Sequence, residues 1–337
     1  MRLADFDYTL PSELIAQQPV SPRDASRLLV VDRSTGHLAH RIFREIGEFL
    51  RVGDVLVVND TRVIPARLRG RRPEAGGAAE ILLLRPVDGG AWEALVRPGR
   101  RLRPGTAVEV GPRRARVEVG ERLPGGRRLV RARDGAMTDL LEQAGEMPLP
   151  PYIHRRLDDP EQYQTVYARA DGAIAAPTAG LHFTPALLDR LREAGVTVVS
   201  LTLHVGPGTF QPVVTDDVRR HRMDPEHFMI APETAALIND RQGRLIAVGT
   251  TTVRALETAA GPDGRVRPGA GWTDLFIVPG FPFRATQAMV TNFHLPRTTL
   301  LLLVSAFAGR DLVLRAYQEA IRERYRFYSF GDAMLIL

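Results

Sequence analysis

The chain has 337 residues, 44% of them hydrophobic and 25% charged, with a formal net charge of +6. This composition predicts two or three globular domains and excludes a largely disordered chain. The longest apolar run, around Leu300–Val304, is far shorter than the roughly 18 residues that a membrane-spanning helix needs. The first ten residues have no apolar signal core, so we expect a cytoplasmic protein without membrane contact.

Two residue types are missing from the sequence. The chain has no cysteine, which excludes disulfides, thiolate nucleophiles and cysteine-bound metals. It also has no lysine, so all 45 basic residues are arginine. Lysine Schiff bases, a lysine general base and a P-loop lysine are therefore excluded as well.

The first 66 residues mix strand and helix signals. Leu28–Val31 and Asp54–Val58 are apolar runs of strand length, and Phe43–Leu50 has a helical pattern. Just beyond these residues, the stretch Gly70–Gly77 is rich in glycine and arginine and is typical of a loop.

The next segment, residues 67–150, has short apolar runs separated by Pro-Gly, Gly-Pro and Gly-Gly turns. The predicted strands are Ile81–Leu84, Trp92–Val96, Ala107–Val110, Ala115–Val119 and Arg128–Ala132. A short helix over Met137–Ala144 and a proline-rich exit complete the segment. This pattern predicts a small all-β, barrel-like domain.

The same segment carries the whole charge excess. It contains 17 arginines and 11 acidic residues, and between Val96 and Arg133 there are 12 arginines against three glutamates. Arginine binds phosphate in a bidentate manner, and a one-sided basic surface attracts polyanions. We therefore expect a nucleic-acid-binding surface here, although the charge does not separate DNA from RNA and a solvated arginine-rich loop surface is the alternative.

After Tyr163 the chain alternates strands and helices. Thr184 and Pro185 are typical of a helix start, and that helix should end at Gly195. Further strands are predicted at Val196–Val205, Arg244–Gly249 and Thr273–Val278, and further helices at Pro232–Gln242, Thr252–Ala260, Leu300–Ala308 and Leu312–Arg324. The alternation indicates an α/β core with a largely parallel sheet, built from residues 1–66 and 151–337 and interrupted by the inserted β domain.

Five loops at strand ends or helix starts are rich in polar residues and glycine, as expected of a ligand crevice. They are 58–66, 176–184, 204–210, 249–257 and 291–296. For Asp60 and Arg62, the alternative to ligand binding is a local pair between the two side chains. Arg254 and Glu257 form either an internal salt bridge or a clamp for a zwitterionic ligand. The histidines lack metal-site spacing, and no G-x-S-x-G or G-x-G-x-x-G motif is present, so we expect no metal, hydrolase triad or dinucleotide site.

These loops carry a resemblance that runs nearly from end to end. The motifs are Asn-Asp-Thr-Arg at 59–62, Trp-Glu-Ala-Leu-Val-Arg-Pro-Gly at 92–99, Tyr-Gln-Thr-Val-Tyr at 163–167, Ala-Pro-Thr-Ala-Gly-Leu-His-Phe-Thr at 176–184, 204–210, 249–257 and 291–296. In this order they resemble the S-adenosylmethionine:tRNA ribosyltransferase-isomerase family of queuosine biosynthesis.

The resemblance implies a reaction. The ribosyl part of S-adenosylmethionine is transferred to 7-aminomethyl-7-deazaguanine at the tRNA wobble position and isomerised to give epoxyqueuosine, and adenine and methionine leave. S-adenosylmethionine is a consumed substrate, no cofactor or metal is implied, and tRNA is the partner. We expect a monomer.

The sulfonium acidifies the neighbouring ribose carbon, so a base is needed there. The candidate catalytic residues are His182, His204, Asp60 and Glu226, and the sequence leaves the choice open. Arg254 can hold the methionine carboxylate, and Phe183 or Phe210 can face the sulfonium.

The full sets of expected contacts follow from the loops and the resemblance. The expected substrate-binding residues are Asn59, Thr61, Arg62, Pro177, Thr178, Gly180, Phe183, Gly206, Gly208, Thr209, Phe210, Thr250, Thr251, Arg254, Glu257, Asn292 and His294. The expected tRNA-binding residues are Arg97, Arg100, Arg101, Arg103, Arg113 and Arg114.

The sequence departs from the family pattern at two points. Arginine replaces the lysines that are usual in the inserted domain, and Gln287 stands where the family tends to have aspartate, so we assign that position no catalytic role.

Two other functions compete with this interpretation. An S-adenosylmethionine-dependent RNA methyltransferase should show a glycine-rich loop after the first strand. A non-catalytic RNA-binding protein would leave the five polar loops unexplained.

Overall fold

The structure is a computed structural model that describes residues 1–73, 76–155, 157–206, 208, 213 and 215–337. It divides into two compact units. The core unit comprises Met1–Arg62, Pro151–Ala170 and Ala176–Leu337, and the barrel unit comprises Val63–Pro150 and Asp171–Ala175. The sequence suggested that the inserted domain begins at Arg67. The barrel unit begins four residues earlier, at Val63.

Strands and helices follow the chain in this order, within the described residues. The strands are β1 Arg27–Val31, β2 Leu38–Ile42, β3 Val55–Asn59, β4 Thr61–Val63, β5 Arg67–Arg71, β6 Ala78–Val87, β7 Ala91–Arg97, β8 Ala107–Val110, β9 Ala115–Arg122, β10 Arg128–Ala132, β11 Gly145–Glu146, β12 Ala170–Ala173, β13 Thr197–Leu203, β14 Glu226–Ile230, β15 Leu245–Val248, β16 Gly269–Thr273, β17 Ala288–Asn292 and β18 Ala333–Ile336. The helices are α1 Met137–Ala144, α2 Pro185–Glu193, α3 Pro232–Asn239, α4 Thr250–Ala259, α5 Thr299–Ala308 and α6 Arg310–Arg322.

The core unit is built on a nine-stranded sheet in the order β16-β14-β13-β3-β15-β17-β18-β1-β2. Four neighbouring pairs are parallel: β13–β3, β3–β15, β15–β17 and β18–β1. The other four pairs are antiparallel. The expected largely parallel sheet is therefore correct only for its centre, and the sheet as a whole is mixed.

The antiparallel pairing of β17 with β18 has a clear cause in the connection between them. A single crossover helix returns the chain to the starting edge of a sheet and produces a parallel pair. Here two helices, α5 and α6, follow one another through Gly309 and pack together. The second helix brings the chain back to the edge where β17 ended, so β18 runs in the opposite direction.

Apolar residues of the central strands form the core of this unit. Leu56, Ile246 and Val290 are fully buried and belong to one cluster with Leu187 of α2. The start of α2 follows the predicted capping, because Thr184 Oγ1 accepts a hydrogen bond from the Leu187 amide at 3.2 Å. The predicted strand at Thr273–Val278 is wrong, since β16 ends at Thr273.

The barrel unit confirms the predicted small β-barrel. Strands β5 to β10 form a closed antiparallel barrel in the order β5-β6-β7-β10-β9-β8, because β5 also pairs with β8. Gly70 lies where β5 meets β8, and a Cβ atom there would be 2.2 Å from the Glu109 carbonyl oxygen. The segment predicted as a loop at Gly70–Gly77 is therefore strand as far as Arg71.

An ion pair with a buried carboxylate fixes the start of β3 in the core unit. Asp54 is 1% exposed, and its carboxylate accepts hydrogen bonds from the Arg244 amide at 2.7 Å, the Arg244 guanidinium at 2.6 Å and the Arg51 amide at 2.9 Å. Burial acts to raise the pKa of Asp54, but these hydrogen bonds outweigh it and hold the pKa below its usual value.

We predict that Asp54→Asn lowers the free energy of unfolding by about 3 kcal/mol at pH 7, because it leaves the Arg244 guanidinium without its counter-charge. Since the pKa of Asp54 is lower in the folded state, its stabilisation is present above pH ~4 and is lost as pH falls further. Urea denaturation at pH 7 and pH 3.5 measures both effects. Asp311→Asn, at an exposed ion pair, is the matched control and should change stability by less than about 0.5 kcal/mol. Equal losses in the two variants would contradict the prediction.

Candidate active site

The carboxyl ends of four neighbouring strands lie at one edge of the core sheet. Strands β13, β3, β15 and β17 are adjacent and mutually parallel, so their final residues meet at the same edge. The turns that follow them begin at Asn59, His204, Gly249 and Asn292. We call this group of turns the strand-end site, and it unites four of the five polar loops.

The Asn59 side chain ties three of these segments together. Its amide nitrogen donates to the Leu203 carbonyl at 2.9 Å and to Thr251 Oγ1 at 3.3 Å, and its amide oxygen accepts from the Leu203 and Thr61 amides at 2.9 and 3.1 Å. The residue is fully buried. Asn59 thus organises the site through protein contacts and does not present its amide to solvent.

Asp60 and Arg62 do not form the local pair that the sequence left open. Asp60 is buried, and its two carboxylate oxygens accept from Arg169 at 2.7 Å and from Thr202 Oγ1 at 2.6 Å. Arg62 pairs with Glu161. Both residues therefore fix neighbouring chain segments at the strand-end site.

His204 lies directly after β13 and is half-buried. Its Nδ1 atom is 2.8 Å from Thr61 Oγ1, and its backbone amide donates to the His227 carbonyl at 2.9 Å. The contact with Thr61 orients the imidazole ring. Its partial exposure at the strand-end site gives a ligand more access to His204 than to His182, which is 5% exposed.

A buried ion pair joins Glu226 of β14 to Arg254 of α4. The other Glu226 oxygen accepts from the Gly206 amide at 2.8 Å. Arg254 also donates from Nε to the Leu275 carbonyl at 3.0 Å and from a terminal nitrogen to the Thr273 carbonyl at 3.2 Å. All three guanidinium nitrogens therefore have protein acceptors.

Glu257 is not the partner of Arg254, so the local salt bridge that the sequence allowed between them is wrong. The Glu257 carboxylate accepts from the amides of Arg284, Ala285 and Thr286 at 2.8, 3.2 and 2.8 Å. It is 6% exposed. Its observed contacts hold the chain that precedes β17.

His182 is buried in a fully partnered position. Its Nδ1 atom is 2.7 Å from Ser26 Oγ, its Nε2 atom accepts from the Asn292 amide at 3.1 Å, and its ring stacks on Phe43 at 4.9 Å. Burial, together with nearby Arg326 and Arg23, lowers the pKa of His182 to about 3. The ring is therefore neutral at physiological pH and a weak base.

His294 is in a similar environment. Its Nε2 atom is 2.8 Å from Thr291 Oγ1, and its backbone amide donates to the Tyr317 hydroxyl at 2.9 Å. Burial lowers the pKa of His294 to about 3. Both rings are oriented by the protein and remain neutral.

The turn that contains Pro177 and Thr178 lies against the end of β17, because Thr178 Oγ1 donates to Asn292 Oδ1 at 3.0 Å. Gly180 is required by packing, since a Cβ atom there would be 2.1 Å from the Tyr167 hydroxyl. Phe183 is fully buried and packs edge-on against Phe43 at 4.9 Å. It belongs to the core cluster.

The turn into α4 depends on a glycine. Gly249 has φ +91°, a conformation that side chains rarely adopt, and its amide donates to the Val290 carbonyl at 2.8 Å. This places Thr250 and Thr251 at the helix start, where both are buried.

Of the turn after β13, Gly206 and Gly208 are described, whereas Thr209 and Phe210 lie outside the described residues.

The hydroxyls of Tyr167 and Thr165 were not among the expected site residues. Both oxygen atoms are buried, and neither has a hydrogen-bond partner in the described part of the chain. Burial raises the pKa of Tyr167 well above its usual value. The only sequence signal was their motif, Tyr-Gln-Thr-Val-Tyr.

The six expected tRNA-binding arginines all lie on the surface of the barrel unit. None of the six forms an ion pair with a described residue, whereas other barrel arginines do: Arg116 pairs with Glu109 at 3.7 Å and Arg133 with Glu118 at 3.0 Å. These six arginines therefore differ from the paired barrel arginines in having no acidic partner among the described residues.

Two other kinds of site are absent from the described residues. No group of three histidine, cysteine, aspartate or glutamate side chains among them is arranged to hold a metal ion. Among the helices described, none has the length and apolarity to cross a membrane.

Comparisons with known proteins agree over the whole chain. A family profile described as "Queuosine biosynthesis protein" matches residues 3–336. Relatives named S-adenosylmethionine:tRNA ribosyltransferase-isomerase are 58% identical in Symbiobacterium thermophilum and 55% identical in Moorella thermoacetica, with all of each chain covered. A crystal structure of S-adenosylmethionine tRNA ribosyltransferase from Thermotoga maritima is 41% identical, with a TM-score of 0.57 over 99% of this chain and 100% of that one. The chain belongs to the queuosine biosynthesis protein family.

We predict that His182 and His294 stay neutral between pH 5 and 8. Since their folded pKa of about 3 is below the unfolded value of 6.5, protonation favours unfolding as pH falls below 6.5. Each ring should cost about 2 kcal/mol of stability at pH 5 relative to pH 7. ¹⁵N-histidine NMR, assigned with His182→Gln and His294→Gln, measures the titrations, and exposed His37 is the control. A midpoint above pH 5.5 for either buried ring would contradict this.

Proposed function

We propose that this protein transfers and isomerises the ribosyl group of S-adenosylmethionine onto 7-aminomethyl-7-deazaguanine at the wobble position of tRNA, with release of adenine and methionine. The observation that carries the proposal is the full-length agreement with named relatives at 55% and 58% identity. The strand-end site supplies a matching place for the chemistry, since four polar turns meet at one sheet edge.

His204 is the group best suited to move the proton. The reaction needs a base near the ribose carbon next to the sulfonium. His182 has both ring nitrogens within hydrogen-bonding distance of protein groups and a pKa of about 3. Asp60 and Glu226 use both carboxylate oxygens in buried contacts. His204 is half-buried, and Thr61 orients its ring, so proton transfer is assigned to His204.

The remaining site residues position this group and the substrate. Glu226 and Arg254 fix the turn at Gly206, and Asn59 fixes Thr61 next to His204. Thr250 and Thr251 are buried at the start of α4 at the same edge, and the proposal places the ribose or the methionine group next to them. This assignment replaces the sequence-based expectation that Arg254 holds the methionine carboxylate.

The exposed arginines of the barrel unit are proposed to bind the phosphates of tRNA. A guanidinium without an acidic partner keeps its full charge for a phosphate. In this proposal S-adenosylmethionine is consumed as a substrate, and no metal or bound cofactor takes part. Since the other substrate is tRNA, we propose that the protein acts in the cytoplasm, and we expect it to act as a monomer.

We predict that His204→Gln lowers kcat for adenine release by about 100-fold or more, because general acid–base catalysis contributes 10²- to 10⁴-fold. The assay supplies S-adenosylmethionine and tRNA that carries the aminomethyl-deazaguanine, and measures free adenine. His37→Gln, at an exposed turn, is the control and should keep full activity. Full activity of His204→Gln would remove this residue from the mechanism.

The same assay tests the reaction class. Wild-type protein should release adenine and methionine in equal amounts. S-adenosylhomocysteine in place of adenine would instead indicate a methyltransferase, and the absence of S-adenosylmethionine binding would indicate a non-catalytic RNA-binding protein.

We predict that replacing Arg100, Arg101 and Arg103 together by glutamine weakens tRNA binding. The slope of log affinity against log salt should fall by about 0.7–0.9 for each phosphate that the protein no longer neutralises. Affinity is measured by fluorescence anisotropy with labelled tRNA at several salt concentrations. Arg133→Gln is the control, because Arg133 is already paired with Glu118. An unchanged salt slope in the triple variant would contradict a phosphate-binding role.

A further inference from the structure

Three rings form a continuous row that leads from the strand-end site to the surface of the core unit. The His204 and His227 rings are stacked, with centroids 5.9 Å apart and planes inclined by 21°. The His227 ring meets the Trp272 ring edge-on at 5.4 Å. The inner end of the row contacts Thr61 through His204. We call His204, His227 and Trp272 the aromatic row.

The outer end of the row is unusually exposed for its residue type. The Trp272 side chain is 55% exposed, although tryptophan is usually well buried. It lies opposite His227 in the pairing of β14 with β16. Met229, two residues further along β14 and therefore on the same face as His227, is 48% exposed. This face thus combines an exposed indole with an exposed thioether.

A cavity of about 340 Å³ has Trp272 in its lining, together with Glu257 and Thr258 of α4 and Thr273 of β16. Trp272, Phe281 and Pro282 supply apolar walls, and Asp274 and Arg284 are exposed charged groups at its lining. Its size is in the range of small-molecule sites, and its lining combines aromatic surface with a hydrogen-bond acceptor and a donor.

We propose that the Trp272 indole stacks against an unpaired base of the tRNA anticodon loop and thereby delivers the neighbouring wobble base to His204. The proposal rests on the proposed function. Sequence-specific RNA recognition uses unstacked bases that stack on aromatic side chains and hydrogen-bond at their edges. Such stacking tolerates any base, because every base has a π-face.

The position of the indole favours the RNA as the source of the base, not the adenine of S-adenosylmethionine. His204, the proposed proton-transfer group, is at the inner end of the row, and Trp272 is two rings away toward solvent. A polymer that approaches from solvent therefore meets the indole first. The small substrate has to lie at the inner end, where its ribose carbon reaches His204.

Steady-state kinetics of Trp272→Ala separate the two substrates. Loss of base stacking should raise KM for tRNA by about 5-fold or more, because alanine substitution at stacking sites weakens binding by about 5- to 150-fold. KM for S-adenosylmethionine should change by less than about 2-fold, and Trp272→Phe should restore most of the tRNA affinity. Leu237→Ala, at an exposed apolar residue of α3, is the matched control and should match wild type.

A binding measurement makes the test independent of catalysis. The only other tryptophan is Trp92, so Trp92→Phe leaves Trp272 as the single indole fluorophore of the full chain. Titration with an anticodon stem-loop RNA should quench this fluorescence. A control RNA in which the bases of the anticodon loop are paired should quench it far less.

Three results would overturn the inference. These are unchanged RNA affinity in Trp272→Ala, no quenching by the anticodon stem-loop, or an increase in KM confined to S-adenosylmethionine. Wild-type adenine release is measured in parallel. If adenine is released and the indole does not respond to RNA, only the inference fails, whereas a failure of wild-type protein to release adenine counts against the proposed function.

Discussion

The buried amide of Asn59 is the contact on which the strand-end site depends. It is the last residue of β3, the middle one of the three strands β13, β3 and β15, and its four hydrogen bonds reach β13, the start of α4 and its own turn. A buried amide that loses a partner incurs a desolvation cost, so these bonds favour one arrangement of the turns. The positions of Thr61 and, through it, of the His204 ring follow from this arrangement.

The histidines of the site illustrate how burial divides roles among identical side chains. His182 and His294 are enclosed, which keeps them neutral and makes them fixed hydrogen-bonding groups. His204 has the same chemistry, but it is half-buried at the end of the aromatic row. The difference lies in the surroundings of each ring, which the sequence motifs do not reveal.

Local patterns predicted the features whose cause is local. The capping of α2 at Thr184, the β-branched run of β13 and the turn-rich strands of the barrel all follow from neighbouring residues. Strands β17 and β18 were missed, because their short runs acquire a strand identity only through pairing with each other and with distant strands. The partner of Arg254 was missed for the same reason, since spacing suggested Glu257 and the fold supplied Glu226 from β14.

We propose that four turns, distant in sequence, form one binding site for S-adenosylmethionine. Hydrogen–deuterium exchange, measured by mass spectrometry with and without S-adenosylmethionine, tests this most directly. We expect slower exchange in the presence of the ligand in all peptides that cover Asn59–Arg62, 204–206, 249–252 and 292–294, and unchanged exchange in α6. Protection confined to a single turn, or to segments away from this sheet edge, would contradict it.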